Sequence, residues 1–317
     1  MRLDDVVRMD IFYHTPVLVE TVTRYLSVNP DGIYVDGTLG GGGHAESILT
    51  NISPKGKLIG FDMDIDAITF SKTRLGKFKD RILFIHGNFS NIKQHLNNLG
   101  VNRIDGLLLD LGLSSHQIDD ARRGFSFREG NRIDMRMDRE QQIDGWKVIN
   151  TYDQNRLADV FWKFGEERNS RRIAKCIIER RDKKQIESTE ELAEIISSST
   201  GKQYLNKTLA RIFQAIRIEV NNELENLRKA LNDSVELLRT GGRIAVISYH
   251  SLEDRIAKDF FKEESRSVIS SGNKYIPDLQ RNALLEVLSK KPIIPSEEEI
   301  VVNPRARSAK LRIAERL

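Results

Sequence analysis

Three aspartates, Asp36, Asp62 and Asp110, each close a short apolar run, and the first is followed at once by the glycine-rich stretch DGTLGGGGH (36–44). A strand that turns through glycines into a helix lets a ligand approach the backbone closely. Such a turn signals a nucleotide-type cofactor, and NAD, FAD and S-adenosylmethionine sites all use it. Asp36 sharpens the choice. It precedes the glycines, where a carboxylate repels a pyrophosphate but receives, directly or through water, the ammonium of a methionine moiety. Asp62, in GFDMD, stands where a carboxylate takes both hydroxyls of a ribose. The plainer alternatives are an Asx turn for Asp36 and a helix N-cap for Asp62.

The next apolar run ends in His86-Gly-Asn-Phe89, a polar residue and an aromatic able to bond and stack an adenine, although Phe89 fits a plain core position equally well. Asp110 ends a fourth run and is followed by LGLSSHQ (111–117). Ser248, Tyr249 and His250 follow a fifth, with Tyr249 suited to stacking and His250 to a polar contact with a substrate base; each could instead cap a helix or fill the core.

These residues need a scaffold that brings strand ends to one edge. Candidate strands at 33–37, 57–63, 81–87 and 104–110 alternate with helical patterns at 45–49, 67–75 and 92–99, a βαβα rhythm that predicts a parallel sheet buried on both faces. The rhythm stops after Asp110. From Asp119 onward, Leu157, Val160, Phe161, Phe164, Ile173 and Ile177 recur at helical spacing, which predicts a helical insertion. Apolar residues from Leu209 to Leu238 predict one long helix over 207–238, ended by Gly241 and Gly242. RIAVIS (243–248) resumes the sheet, Ser251 with Asp254 predicts the start of a helix through Phe261, and 309–317 supplies a last strand. The expected domains are 1–118 and 206–317 for the sheet and 119–205 for the insertion.

The chain has 317 residues, 39% hydrophobic and 30% charged, with Cys176 as its one cysteine, so a disulfide scaffold is excluded. The opening residues carry Asp4, Asp5 and Asp10 and lack the apolar core of a signal peptide, and no later run is long enough for a membrane span; a cytoplasmic protein is expected. Fifty Lys and Arg against forty-six Asp and Glu leave a formal charge of +4. Arg305, Arg307, Lys310, Arg312 and Arg316 stand against Glu315 alone near the end of the chain, making a polyanionic partner plausible. No metal is expected.

The chain resembles the bacterial small-subunit (16S) ribosomal RNA cytosine-N4 methyltransferases, the RsmH (formerly MraW) family. The resemblance rests on HTPVLVE (14–20), DGTLGGGGH (36–44), FDMD (61–64), HGNFS (86–90), DGLLLDLGLSSHQID (105–119), RGFSFR (123–128), IDMRMD (133–138), GEERNSRRIA (165–174), FQAIRIEVNNEL (213–224), ISYHSLEDR (247–255) and NPRARSAKLRIAE (303–315). The chain departs from the family at His116, where a proline is usual, at 206–210, where His-Pro-Ala is common, and at 274–295, which replaces a cysteine-containing stretch.

The resemblance implies an α/β, class I S-adenosylmethionine-dependent methyltransferase fold, Rossmann-like with a mostly parallel sheet and an inserted all-α domain. It implies cofactor contacts at Gly42, Gly43, His44, Asp62, Phe89, Asp110 and Gln117, the last from the resemblance alone. The implied substrate is a cytidine in the decoding region of small-subunit ribosomal RNA, within the 30S particle, methylated on its exocyclic amine. A homodimer, with the long helix as its interface, is left open. Thr15 and Pro16 read most simply as the start of a helix, and as an active-site flap only through the resemblance.

The lone pair of a cytosine N4 amine is delocalised into the ring, so acceptors must hold its hydrogens while the nitrogen becomes tetrahedral. Asp110 and His250 are the catalytic candidates, and Tyr249, Arg305 and Arg307 the substrate-binding ones. Phe125 and Phe127 beside Arg122, Arg123 and Arg128 suit an unpaired RNA segment. The rival readings are a nucleotide-dependent oxidoreductase, a non-enzymatic RNA-binding protein and a DNA amino-methylase. The first lacks clean G-x-G-x-x-G spacing, and the last lacks a Pro-Pro-aromatic motif after the fourth strand.

Overall fold

The computed structural model describes residues 16–127, 130–269, 271–272, 275 and 277–317. The chain forms two compact units, Met1–Gly112 with Leu224–Leu317, and Leu113–Glu223.

The first unit is built on a seven-stranded sheet in the order β3-β2-β1-β4-β5-β9-β8. Its strands are β1 (Ile33–Asp36), β2 (Lys57–Asp62), β3 (Ile82–His86), β4 (Ile104–Asp110), β5 (Leu238–Ser248), β8 (Leu285–Val287) and β9 (Lys310–Arg316), while β6 (Val268–Ile269) and β7 (Leu279–Gln280) form a separate hairpin. Strands β1 to β5 run parallel, and β9 lies antiparallel between β5 and β8. Both faces are covered. Tyr34, Leu58, Leu108, Ala245 and Ile313 pack into one core, and Val35, Ile59, Leu107, Val246 and Ala314 into the other. That is why β4, Ile-Asp-Gly-Leu-Leu-Leu-Asp, reads as nearly continuous apolar sequence.

From β1 the chain moves outward through β2 to β3, then returns to place β4 on the other side of β1. The reversal opens a crevice at the carboxyl ends of β1 and β4, where open α/β sheets bind ligands. Asp36 and Asp110 end those two strands. Strand β5 begins earlier than expected, at Leu238, because its pairing with β4 jumps from Ile104↔Leu238 to Gly106↔Arg243. Gly241, at φ +79°, takes up the extra residues.

The second unit is helical. Gly145–Thr151, Gln154–Gly165, Ser170–Arg181, Thr189–Ser199 and Leu205–Asn221 pack Val148, Leu157, Phe161, Ile173, Ile177, Leu192 and Ile216 into one core. Its limits, Leu113 and Glu223, differ from the expected 119–205. The helix Leu205–Asn221 turns Leu209, Ile212 and Phe213 into this core, so it belongs here rather than to the sheet. The single helix expected over 207–238 is two, Leu205–Asn221 and Glu223–Leu237, parted by Asn222 at φ 51°. Asparagine tolerates the left-handed conformation, and the amide of Asn222 caps the first helix by donating to the Ile218 carbonyl. Among the described residues no helix is long and apolar enough to cross a membrane.

Candidate active site

Three carboxylates gather at the carboxyl edge of the first unit. Asp36 is 1% exposed. Its Oδ1 accepts from the Thr38 amide at 3.1 Å, the Asx turn anticipated as the plainer alternative, but its Oδ2 is buried without a hydrogen-bond partner among the described residues. Burial pushes its pKa up to about 7; the nearby His44 opposes this, and Asp110 and Asp62 add to it.

His44 sits in the first turn of the helix Gly43–Asn51, buried, with Nε2 3.4 Å from Asp110 Oδ2. Neither ring nitrogen has a hydrogen bond of good geometry among the described residues. Buried polar atoms are almost always satisfied. The Asp36 Oδ2 and His44 ring nitrogens, free of hydrogen-bonded protein partners among the described residues, are therefore chemically able to pair with a polar ligand.

Asp110 is held from two sides: its amide donates to Thr38 Oγ1 at 2.6 Å, and its Oδ1 accepts from the Tyr249 hydroxyl at 3.0 Å. Burial, and then the Asp110 charge, raise the Tyr249 phenol well above its ordinary pKa, so the phenol stays protonated and donating. Thr38 and Tyr249 are the anchors that sequence reasoning missed in this role. Thr38 lies within the glycine motif, but its hydroxyl carries no signal of a partner seventy-two positions away.

Asp62 uses each oxygen once, Oδ2 on the Gly40 amide and Oδ1 on the Asp64 amide, both at 2.8 Å. Burial raises its pKa to about 6 against the lowering effect of those two amides. The helix N-cap is Asp64, whose side chain accepts from the Asp66 amide, so Asp62 retains its remaining lone pairs for hydroxyl donors. Phe89 opens a short 3-10 turn capped by Asn88 and packs its Cβ side near Gly37.

Gly42 and Gly43 are explained by the protein's own packing. Gly42 has φ +77°, and a Cβ on Gly43 would meet Pro16 Cγ at 2.6 Å. The segment before the first described helix, Val19–Leu26, thus lies on the glycine turn. Pro16 is not that helix's first residue, because the helix starts at Val19 with Leu18 in the left-handed conformation; Thr15 falls outside the described residues. The Leu18 amide donates to Glu299 Oε1 at 2.7 Å, a clasp without any sequence signal.

At the end of β5, His250 rather than Ser251 is the N-cap of the helix Ser251–Glu264, with Glu253 rather than Asp254 completing the box. His250 Nε2 stands 3.1 Å from Glu253 Oε1, and Glu253 Oε2 accepts from the Tyr249 amide at 3.0 Å. Asp254 instead binds Arg312 and Lys310, so those cations of the basic segment are committed to the fold. Arg305 and Arg307 are exposed on the turn Pro304–Ser308.

Gln117 belongs to the helical unit. It is buried, and with Ser114 it forms a capping box at the start of Ser115–Asp119. In the same unit Arg123 is 2% exposed and donates to the carbonyls of Arg136 and Met137, while Phe127 packs edge-on to Phe213. These two are structural, contrary to the RNA-facing role expected of them. Arg122 is exposed but forks onto Asp120; Arg128 is outside the described residues.

The edge of the first unit is anionic, and that has a chemical consequence. A pyrophosphate is disfavoured there, whereas a ligand with a positive amine or sulfonium and a ribose diol meets carboxylates able to receive both. The carboxylates count against the rival oxidoreductase reading, although the glycine turn on which it rests is present.

The chain is also similar to known proteins. A model described as the MraW methylase family matches residues 11–317. A Clostridioides difficile protein named "Ribosomal RNA small subunit methyltransferase H" is 45% identical over 309 residues, covering 96% of this chain and 99% of the relative. A Caldicellulosiruptor bescii protein of the same name is 46% identical over 308 residues, covering 97% of this chain and 100% of the relative. A solved rRNA methylase from Streptococcus thermophilus is 11% identical with a TM-score of 0.43, covering 94% of this chain and 93% of that one.

Proposed function

The chain belongs to the MraW methylase family, and from that premise we propose that it methylates small-subunit ribosomal RNA on the exocyclic N4 amine of a cytidine in the decoding region. It is a methyltransferase with S-adenosylmethionine as its methyl donor. We place it in the cytoplasm, acting on the 30S particle. The observation that carries the reading is the convergence of Asp36, His44 and Asp110 at the sheet edge, with buried polar atoms of Asp36 and His44 left unsatisfied.

When bound, S-adenosylmethionine supplies an electrophilic methyl group on a sulfonium. In this reading Asp62 receives the ribose hydroxyls, Phe89 flanks the adenine, and Gly42 and Gly43 shape the turn beneath them. Asp36 and Asp110 receive the methionine ammonium, with His44 Nε2 beside Asp110, and Gln117 is assigned to the cofactor from the family resemblance alone. Tyr249 fixes the Asp110 carboxylate. His250, backed by the Glu253 carboxylate, is the group suited to accept a proton from the target amine. Arg305 and Arg307 hold RNA phosphates.

The test is methyl transfer from labelled S-adenosylmethionine to small subunits taken from a strain lacking this gene, followed by nucleoside analysis. Label in N4-methylcytidine is expected. Label in another nucleoside, or none with cofactor binding intact, would overturn the assignment of base and atom. Mass measurement of the purified protein separates a monomer from a homodimer.

A further inference from the structure

We propose that the connection between the helices Gln154–Gly165 and Ser170–Arg181, with the first turn that follows it, is a docking surface for the phosphate backbone of the RNA substrate. The inference rests on the RNA-methylation reading above and gives the helical unit a defined part in it.

Arg168, Arg171 and Arg172 are exposed, and none forms an ion pair or hydrogen bond among the described residues. Their neighbours differ. On the same two helices Lys163 is 3.9 Å from Asp159, Lys175 is 3.6 Å from Glu179, and Arg156 reaches Glu219 at 3.3 Å. Those three cations have carboxylate partners, whereas the guanidinium groups of Arg168, Arg171 and Arg172, close together in sequence, have none among the described residues and form a positive patch.

Their position on the helix is also unfavourable for stability. Arg171 and Arg172 occupy the second and third places of Ser170–Arg181, whose first turn contains no acidic residue. A helix start carries partial positive charge and is stabilised by carboxylates, not by arginines. Arginines placed there oppose the helix's own field, and an external anion relieves that opposition.

The connection is rigidly built around a fourth arginine. Glu167 is 2% exposed and turned inward. Its Oε1 accepts from the Asn169 amide at 2.9 Å, and its Oε2 lies 3.5 Å from Nη1 of Arg211, a side chain that remains 49% exposed. A Cβ on Gly165 would stand 2.7 Å from the Arg211 carbonyl, so the backbone of the helix Leu205–Asn221 passes directly against the connection. Guanidinium groups from two helices are thereby gathered at one corner.

Trp162, in the last turn before this corner, is 57% exposed. Arginine forks match phosphate oxygens two at a time, and an exposed aromatic face stacks an unpaired base. The combination fits a structured RNA with single-stranded segments.

The experiment compares the wild-type chain with Arg168→Gln/Arg171→Gln/Arg172→Gln and with Trp162→Ala, binding each to a fluorescent small-subunit ribosomal RNA transcript across a salt series. The triple variant is expected to lose at least about tenfold in affinity and to flatten the slope of log K against log salt by roughly 2, since each phosphate contact contributes about 0.7–0.9. Its melting temperature should stay level or rise, because no native partner is lost, and S-adenosylmethionine affinity should be unchanged. Trp162→Ala should weaken binding with no change in slope. A folded triple variant with wild-type affinity and slope overturns the docking surface, as does unaltered RNA binding together with lost binding of an acidic ribosomal protein. If that happens while wild-type protein still methylates the RNA, only the surface falls. If wild-type protein methylates no ribosomal RNA while the variant loses affinity and slope, the surface stands and the methylation reading falls.

Discussion

The Tyr249 hydroxyl donates to Asp110 Oδ1 across 3.0 Å, joining the end of β5 to the end of β4. This gives Tyr249 a different task from the base-stacking one its sequence position suggests. The two tasks respond oppositely to Tyr249→Phe. A stacking residue keeps its ring and its activity, whereas an anchor loses its hydrogen bond. We expect Phe to raise the dissociation constant for S-adenosylmethionine by about tenfold, the value of a hydrogen bond to a charged group of roughly 1.5 kcal/mol. Wild-type binding with a raised KM for RNA on Tyr249→Ala would return Tyr249 to stacking.

Asp62→Ala removes the expected ribose acceptor and releases the amides of Gly40 and Asp64 together. Cofactor binding should weaken by one to a few kcal/mol, roughly the value of charge-assisted hydrogen bonds. Calorimetry showing an unchanged dissociation constant would remove Asp62 from the ribose site.

The raised carboxyls set a pH dependence. Asp36 at about 7 and Asp62 at about 6 hold protons that a cationic, hydroxyl-donating ligand must displace. S-adenosylmethionine should therefore bind progressively more weakly as pH falls from 7 to 5, with proton release that calorimetry in two buffers detects. For the ligand-free fold the sign is the reverse of the usual acid effect. Between about pH 4 and 7 the folded chain retains protons that the unfolded chain gives up, so these two groups lower stability as pH rises. Ligand-free melts at pH 5 and 7.5 should reveal this contribution, and Asp36→Asn should abolish much of it.

Two kinds of basic residue near the end of the chain should separate cleanly. Arg305→Ala with Arg307→Ala should flatten the salt dependence of RNA binding and leave cofactor affinity alone. Arg312→Ala strips Asp254 of a 2.6 Å partner on a side chain only 8% exposed, and should cost about 3 kcal/mol of stability. Lost cofactor binding in the first variant would mean that Arg305 and Arg307 support the fold.

Arg123→Ala tests the reassignment of that residue. Two carbonyls, of Arg136 and Met137, lose their donor, and melting should shift by the equivalent of about 2–3 kcal/mol. The salt slope of RNA binding should not move.

The sheet was legible in the sequence because its strands are buried on both faces and end in charged residues, giving sharply bounded runs such as 104–110. The carboxylates Asp36, Asp62 and Asp110 were legible for the same reason. What local sequence could not show was where one unit stops and the other starts. Asn222 breaks a helix whose apolar periodicity continues across the break, so the pattern alone ran through it. The anchoring contacts were hidden because they are long-range: Thr38 to Asp110, Asp110 to Tyr249 and Leu18 to Glu299 are made by residues that look ordinary where they stand. Arg123 shows the converse error, since arginine beside phenylalanine suggests a surface until burial is known.

Strand β9 lies in the interior of the sheet, between β5 and β8, although it follows every other described strand in the chain. The first unit is also discontinuous, with Leu113–Glu223 translated between β4 and β5. During synthesis, β1 to β4 must wait with the β4 edge unpaired while the entire helical unit emerges, and that unit has its own core with which to fold in the interval. The sheet then closes only when β9 leaves the ribosome, some seventy residues after the start of β5. An exposed edge held open for that long is a natural substrate for chaperones, and a nascent chain released short of β9 should be recognised and cleared rather than accumulate as a partly active enzyme.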